Sequence, residues 1–277
     1  MMRLKNDVLY VCNRTCKPQF SLAMHHNLFD LTGRRILITG SNGGIGFNLA
    51  RGLAQHGATV ILNGRNAEKL HSAAEQLRNE GLKAEESRFD VTNESEIAVG
   101  VGLLDPVGGV DVLVNNAGIQ RRISLELVDL ETWNEVVLTN LTSAMLISKH
   151  IAKRMIERRA GKIINVCSLM SDLGRITTGP YTAAKGGLKM LTKAMCADWA
   201  QHNIQINAIG PGYFITEMTQ VLADNPEFNA WVTGRTPARR WGDPSELVGA
   251  AVLFSSAASD FINGQVLYID GGMSAVL

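Results

Sequence analysis

From Arg35 to Ile269 short apolar runs alternate with longer segments of helical period, and few folds accept that rhythm. The runs are Arg35-Ile-Leu-Ile-Thr39, Ala58-Thr-Val-Ile-Leu62, Asp111-Val-Leu-Val114, Lys162-Ile-Ile-Asn-Val166, Ile204-Gln-Ile-Asn-Ala-Ile209 and Gln265 to Ile269. They are apolar on both faces, as strands inside a covered sheet are. Glu85 to Asp90 falls in step as the third run in chain order, but is poorer in apolar residues. Helical periods lie between: Gly44 to His56, Asn66 to Glu80 with Gly81 as its stop, Asn93 to about Leu104 capped by Asn93, one long helix from Glu131 to Arg158, another from Thr178 to Gln201, and one opened by Asp243-Pro244. A looser stretch, Gly212 to Gly242, has the length of a mobile lid. The alternation predicts an α/β fold, a doubly wound sheet of about seven parallel strands with helices on both faces, in a single domain over 31–277. Ligands of such sheets bind beyond the C-terminal strand ends, where the strand order reverses.

The residues at those ends suit a dinucleotide. The first strand runs into Thr39-Gly40-Ser41-Asn42-Gly43-Gly44-Ile45-Gly46, which opens a helix. Glycines there allow a tight turn and let main-chain amides approach a pyrophosphate at the positive end of the helix, which makes the domain Rossmann-like. After the second strand comes Asn63-Gly64-Arg65. Sites that prefer NAD place an acid near here; Gly64 removes it, and the Arg65 guanidinium matches a 2′-phosphate, with Ser41 and Asn42 as further donors. This pattern favours NADP(H). Asp90 and Val91 follow the third strand at the adenine, and Asn116, Ala117 and Gly118 follow the fourth, small where main chain nears a ligand. Pro211, Gly212 and Phe214 follow the sixth at the nicotinamide, with Thr216 able to bond its carboxamide.

The chemistry lies in Tyr181-Thr-Ala-Ala-Lys185, with Ser168 upstream. Four residues apart on a helix, phenol and ammonium share one face. A cation beside the phenol is expected to lower its pKa, so that it exchanges a proton with a carbonyl or hydroxyl oxygen that Ser168 holds.

These motifs together resemble the short-chain dehydrogenase/reductase family, from about residue 29 to the C-terminus. The likeness rests on the glycine turn, Asn115-Asn-Ala-Gly118, Asn140, Ser168, the Tyr181/Lys185 pair and Pro211-Gly212. It implies that Tyr181 is the general acid or base and that Lys185 lowers its pKa and bonds the nicotinamide ribose. It further implies that Ser168 steadies the substrate and that Asn140 holds a water in a proton relay. Residues 115–122, 157–168, 210–219 and 236–243 resemble the branch that interconverts 5-keto-D-gluconate and D-gluconate. A sugar acid needs a cation for its carboxylate. Arg121, Arg122 and Arg175 qualify by position, with Met170 and Tyr213 beside them. The resemblance also implies a homotetramer or homodimer. A reductase of another carbonyl (2-deoxy-gluconate, a polyol or a 3-oxoacyl thioester) and a non-catalytic dinucleotide sensor remain the competing readings.

Composition excludes other classes. The 277 residues carry a net charge of +1 with 45% hydrophobic content, which suits neither a nucleic-acid nor a membrane-surface partner. Four cysteines, without metal spacing, fit a reducing cytoplasm; Cys167 and Cys196 read as small buried hydrophobes, and neither a metal site nor a disulfide framework is expected of Cys12 and Cys16. Residues 1–30 have no signal-peptide core and read as a disordered N-terminal extension.

Overall fold

The protein is described from a computed structural model that covers residues 27–217 and 219–277. Most of the stretch expected as an extension, with Cys12 and Cys16, lies outside the described residues. Asn27–Asp30 are described: Asn27 Oδ1 accepts from the Phe29 amide at 3.0 Å, and the Ala258 amide donates to the Leu28 carbonyl.

Seven parallel strands form one sheet, in the order β3-β2-β1-β4-β5-β6-β7. They are β1 (Arg35–Ile38), β2 (Thr59–Gly64), β3 (Ala84–Arg88), β4 (Val112–Asn115), β5 (Gly161–Val166), β6 (Ile204–Pro211) and β7 (Val266–Ile269). The order reverses between β1 and β4. Side chains alternate across the sheet. Ile36, Ile38, Val60 and Leu62 face one layer, with α1 (Gly44–Gln55) and α2 (Ala67–Asn79). Leu37, Ile61, Leu113 and Ile163 face the other, with α3 (Glu94–Gly102). Each fully buried Ile, Leu or Val contributes roughly 1.5–3 kcal/mol. The poor apolar content of β3 follows from its place at the sheet edge. Its Glu85 is free to make a bidentate pair with Arg35, at 2.5 and 2.9 Å.

The expected long helix over 131–158 is not continuous. It divides into α4 (Leu130–Val137), a wide π turn (Leu138–Thr142) and α5 (Ser143–Arg158). The turn carries Asn140, whose Nδ2 donates to Val136 O at 2.9 Å and to Ile119 O at 2.8 Å. Such turns concentrate at functional sites. The second long helix is α6 (Gly179–Trp199).

The stretch expected to be loose is built of α7 (Gln220–Ala223) and α8 (Pro226–Arg235). Asn225 caps α8 by accepting from the Phe228 amide at 2.9 Å, and Val232 and Trp241 bury against Leu169 and Met273. Local capping and this small satellite core order a segment that carries few periodic signals. Asp243-Pro244 opens a single 3₁₀ turn (Pro244–Leu247) before α9 (Val248–Ser255). Cys167 is buried as expected, but Cys196 is only half-buried, because α6 turns that side partly to solvent. Among the described residues, no helix is long and apolar enough to cross a membrane, and no acidic, His or Cys cluster could hold a metal ion.

Helix α1 meets α9 at Gly52. A Cβ there would lie 2.4 Å from both Val248 methyl carbons. Gly52→Val is expected to lower the free energy of unfolding by about 1–3 kcal/mol, read by urea denaturation; an unchanged midpoint would show that the two helices can separate freely.

Candidate active site

A cleft of about 1080 Å³ opens at the C-terminal ends of the strands, over the reversal between β1 and β4. Its floor is the glycine turn. Gly40 sits at φ +60, and a Cβ on it would lie 3.0 Å from Ala117 Cα. A Cβ on Gly46 would lie 2.4 Å from Asn116 Nδ2 and 2.6 Å from Gly40 O. The turn and the end of β4 therefore touch main chain to main chain. Two side chains hold them together. Thr39 Oγ1 accepts from the amides of Asn116 and Ala117, both at 3.0 Å, and Asn116 Nδ2 donates to the carbonyls of Thr39 and Gly40 at 2.9 and 3.0 Å. Asn63 makes a similar clip, donating to the carbonyls of Ser87 and Phe89. Asn63 and Asn116 thus line the cleft with side chains already committed to the protein. No side chain caps the first turn of α1, which leaves its amides available to an anion.

Ser41 corrects the sequence reading. Its hydroxyl is fully buried, donates to Ile38 O at 2.8 Å and accepts from the Asn63 amide at 3.0 Å, and it does not line the cleft. The turn needs that hydroxyl internally, so no donor remains for a phosphate. Asn42, Gly43, Gly44 and Ile45 do line the cleft. The Arg65 side chain is 82% exposed at its rim, with Nη1 3.7 Å from Asp90 Oδ2. Burial pushes the Asp90 carboxyl up, but hydrogen bonds from Thr92 and the nearby Arg65 hold it below its ordinary value. Lys69 joins Arg65 along the rim and was missed in the sequence; its place one helical turn beyond Arg65 is the signal that could have found it. Val91, Gly118, Pro211, Gly212, Phe214 and Thr216 complete the wall. The Thr216 hydroxyl is shared with that of Thr219 at 3.0 Å.

Ser168, Tyr181, Lys185 and Asn140 line the deep end together. Ser171, which sequence reasoning did not single out, ties two of them: its hydroxyl accepts from the Ser168 amide at 3.3 Å and donates to Lys185 O at 2.9 Å. Asp172 adds a second tie, accepting from Tyr268 Oη at 2.5 Å and pairing with Lys189 of α6. Asn140 Oδ1 is buried without a protein partner, and a Cβ on Gly118 would lie 2.5 Å from it and 3.7 Å from Lys185 Nζ. That acceptor can take a water.

The electrostatics run opposite to the expected tuning. Lys185 Nζ lies 5.6 Å from the centre of the Tyr181 ring and donates to Val166 O at 2.7 Å. Burial pushes the Tyr181 phenol up, against a lowering hydrogen bond with Ser168. Burial also lowers Lys185 from 10.5 to about 8. Desolvation dominates at each group, over the Ser168 hydrogen bond at Tyr181 and the Cys167 thiol at Lys185. At neutral pH the phenol is protonated, the form that can give a proton away.

Of the expected substrate contacts, Met170, Arg175, Tyr213, Arg121 and Arg122 all line the cleft. Arg121 is engaged, with Nη2 2.7 Å from Glu135 Oε1. Arg175 donates to Tyr213 Oη at 3.3 Å.

The Lys185 shift has a measurable consequence. Below pH 8 the amine is protonated folded and unfolded, and burying its charge opposes folding. Above about 8 the folded state releases the proton, while the unfolded chain keeps it up to 10.5. The unfolded state then binds more protons, so stability rises with pH. The stability of the parent relative to Lys185→Met is expected to grow between pH 8 and pH 10 in denaturant melts; a constant difference rules out the shift.

Comparison with known proteins agrees with this geometry. Residues 34–227 match the family model of the short chain dehydrogenases. The chain is 52% identical to 5-keto-D-gluconate 5-reductase of Escherichia coli K12 over 249 residues, 90% of this chain and 98% of that one. It is 48% identical to 2-dehydro-3-deoxy-D-gluconate 5-dehydrogenase of Formosa agariphila over 257 residues, 92% and 97% of the two chains. Among solved structures, gluconate 5-dehydrogenase of Burkholderia cenocepacia J2315, in complex with NADP and tartrate, superposes with a TM-score of 0.88 at 47% identity, over 90% of this chain and 98% of that one. With this fold, this glycine turn and this Ser-Tyr-Lys cleft, the chain belongs to the short-chain dehydrogenase family.

Proposed function

We propose that this enzyme interconverts 5-keto-D-gluconate and D-gluconate with NADP(H). The observation that carries the reading is the meeting of Ser168, Tyr181, Lys185 and Asn140 in the cleft that the glycine turn floors. The residues present fit the dinucleotide: the uncapped first turn of α1 suits its pyrophosphate, Arg65 and Lys69 its 2′-phosphate, and the wall from Gly118 to Pro211 and Thr216 its nicotinamide end. Bound there, the cofactor supplies the hydride.

The chain's own residues handle the proton. Tyr181 gives its proton to the substrate oxygen in reduction and takes it back in oxidation, and Ser168 holds that oxygen. Lys185, at about 8, can restore the proton from either side of neutrality. Asn140 Oδ1 holds a water beside it, for which its lack of a protein partner is the support. Both sugar-acid relatives and the solved neighbour carry names of C5 oxidoreductases, which supports a substrate of that class. The Formosa relative favours a second reading, 2-dehydro-3-deoxy-D-gluconate, at the same carbon.

The reading includes a cytoplasmic homo-oligomer, a tetramer or dimer. Met145 on α5, Met190 on α6 and Leu267 on β7 are exposed apolar side chains that support it. A monomeric mass by light scattering removes that part.

The deciding assays are NADPH oxidation with 5-keto-D-gluconate and a panel of neutral ketones, and NADP+ reduction with D-gluconate and 2-dehydro-3-deoxy-D-gluconate, whose C5 hydroxyl would be oxidised, each repeated with NADH or NAD+. Tyr181→Phe is expected to lower kcat by about 10²–10⁴-fold while NADPH still binds. Retained turnover removes Tyr181 as the proton donor. Arg65→Ala is expected to weaken NADPH by about 10–100-fold and NADH little, the loss of one charge-assisted contact. Equal losses for the two cofactors overturn the phosphate assignment.

A further inference from the structure

Arg122 and Arg175 come from different segments, one after β4 and one before α6, and meet on α8. Arg175 Cζ stands 4.4 Å from the centre of the Phe228 ring and 5.3 Å from that of Trp231. Arg122 Cζ stands 5.9 Å from the same Phe228 ring. The two rings stack, with centres 5.6 Å apart at 24°. Stacking occupies the face of a guanidinium and leaves its N–H edge free to bond. Burial lowers the Arg122 pKa, and repulsion from Arg175 lowers it further. Among the described residues, ion pairs engage Arg121 with Glu135 but give neither Arg122 nor Arg175 a carboxylate within 4.0 Å. Arg175 is half-buried and Arg122 exposed at the cleft, so two like charges share one ring without a counter-charge, a repulsion that an entering anion relieves. Both line the same cleft as Ser168 and Tyr181.

We propose that Arg122 and Arg175, held on Phe228 and Trp231, form the clamp for the substrate's carboxylate, and that Arg121 takes no part in it. The proposal deepens the sugar-acid reading, on which it rests for the identity of the substrate. It places acid recognition on two arginines from separate loops and makes α8 the wall that shapes them. A neutral ketose of the same length would leave the pair uncompensated and bind poorly.

The test uses the full chain saturated with NADPH, which cannot react with either ligand, and follows tryptophan fluorescence, to which Trp231 contributes, during titration with D-gluconate and with its neutral amide, D-gluconamide. The parent is expected to bind the acid in clear preference to the amide. Arg122→Gln and Arg175→Gln should each weaken the acid about 30–100-fold and the amide less than about 3-fold, the loss of a charged hydrogen bond. Arg121→Gln should keep the parent's ratio of acid to amide affinity. NADPH affinity reports folding. If a Gln variant loses it, the Lys variant carries the test, keeping charge without the bidentate fork and falling between parent and Gln. Unchanged acid affinity, or parallel loss of acid and amide in a variant that binds NADPH, overturns the clamp. Turnover assays separate the two ideas: acid-selective binding that depends on both arginines, in a parent that reduces no 5-keto acid, upholds the clamp and sinks the proposed reaction.

Discussion

The cleft depends on one close approach, that of the turn after β1 to the end of β4. The strand order reverses between them, and ladder pairing ends at Ile38 and Val114, so the segments beyond need other ties. Thr39 Oγ1 accepting two amides from the β4 side, and Asn116 Nδ2 returning two bonds to the turn, supply them. Such contacts require bare main chain, and a methyl at Gly46 would fall inside the radius of two polar atoms. The same approach sets the height at which α1 begins, and hence where its unpaired amides lie.

At the other end of the cleft, removal of water governs behaviour more than pairing does. The lysine loses part of its basicity and the tyrosine part of its acidity, because both exchange hydration for protein contacts. At neutral pH the pair then presents a protonated phenol, rather than a phenolate, beside an amine that still largely keeps its proton. A protonated phenol is the form that can donate to a carbonyl oxygen.

Much of this was legible in the sequence, because apolar periodicity and glycine placement are local signals. The seven strands, their parallel arrangement and the capping by Asn93 follow from them. Other features depend on contacts between distant segments. Ser41 reads as a free hydroxyl until its bonds to Ile38 O and the Asn63 amide are seen. Asn140 enters the sequence reading only through the family resemblance, and the π turn that brings it inward carries no local signal. Neighbours in sequence part in space: Arg121 goes to Glu135 and Arg122 to Phe228. The order of the 212–242 stretch comes from a satellite core shared with Leu169 and Met273, which no local pattern reveals.

The Ser171 hydroxyl has a wider consequence. Because it joins the Ser168 amide to the Lys185 carbonyl, and Asp172 joins Tyr268 to Lys189, the segment that carries Arg175 is moored at its root and spans a gap between fixed points. Such a span can be exchanged for one of different composition without displacing Ser168 or Lys185. Under the proposed clamp, preference among acids can therefore be retuned by composition alone, with the Ser171 and Asp172 ties insulating the deep end of the cleft.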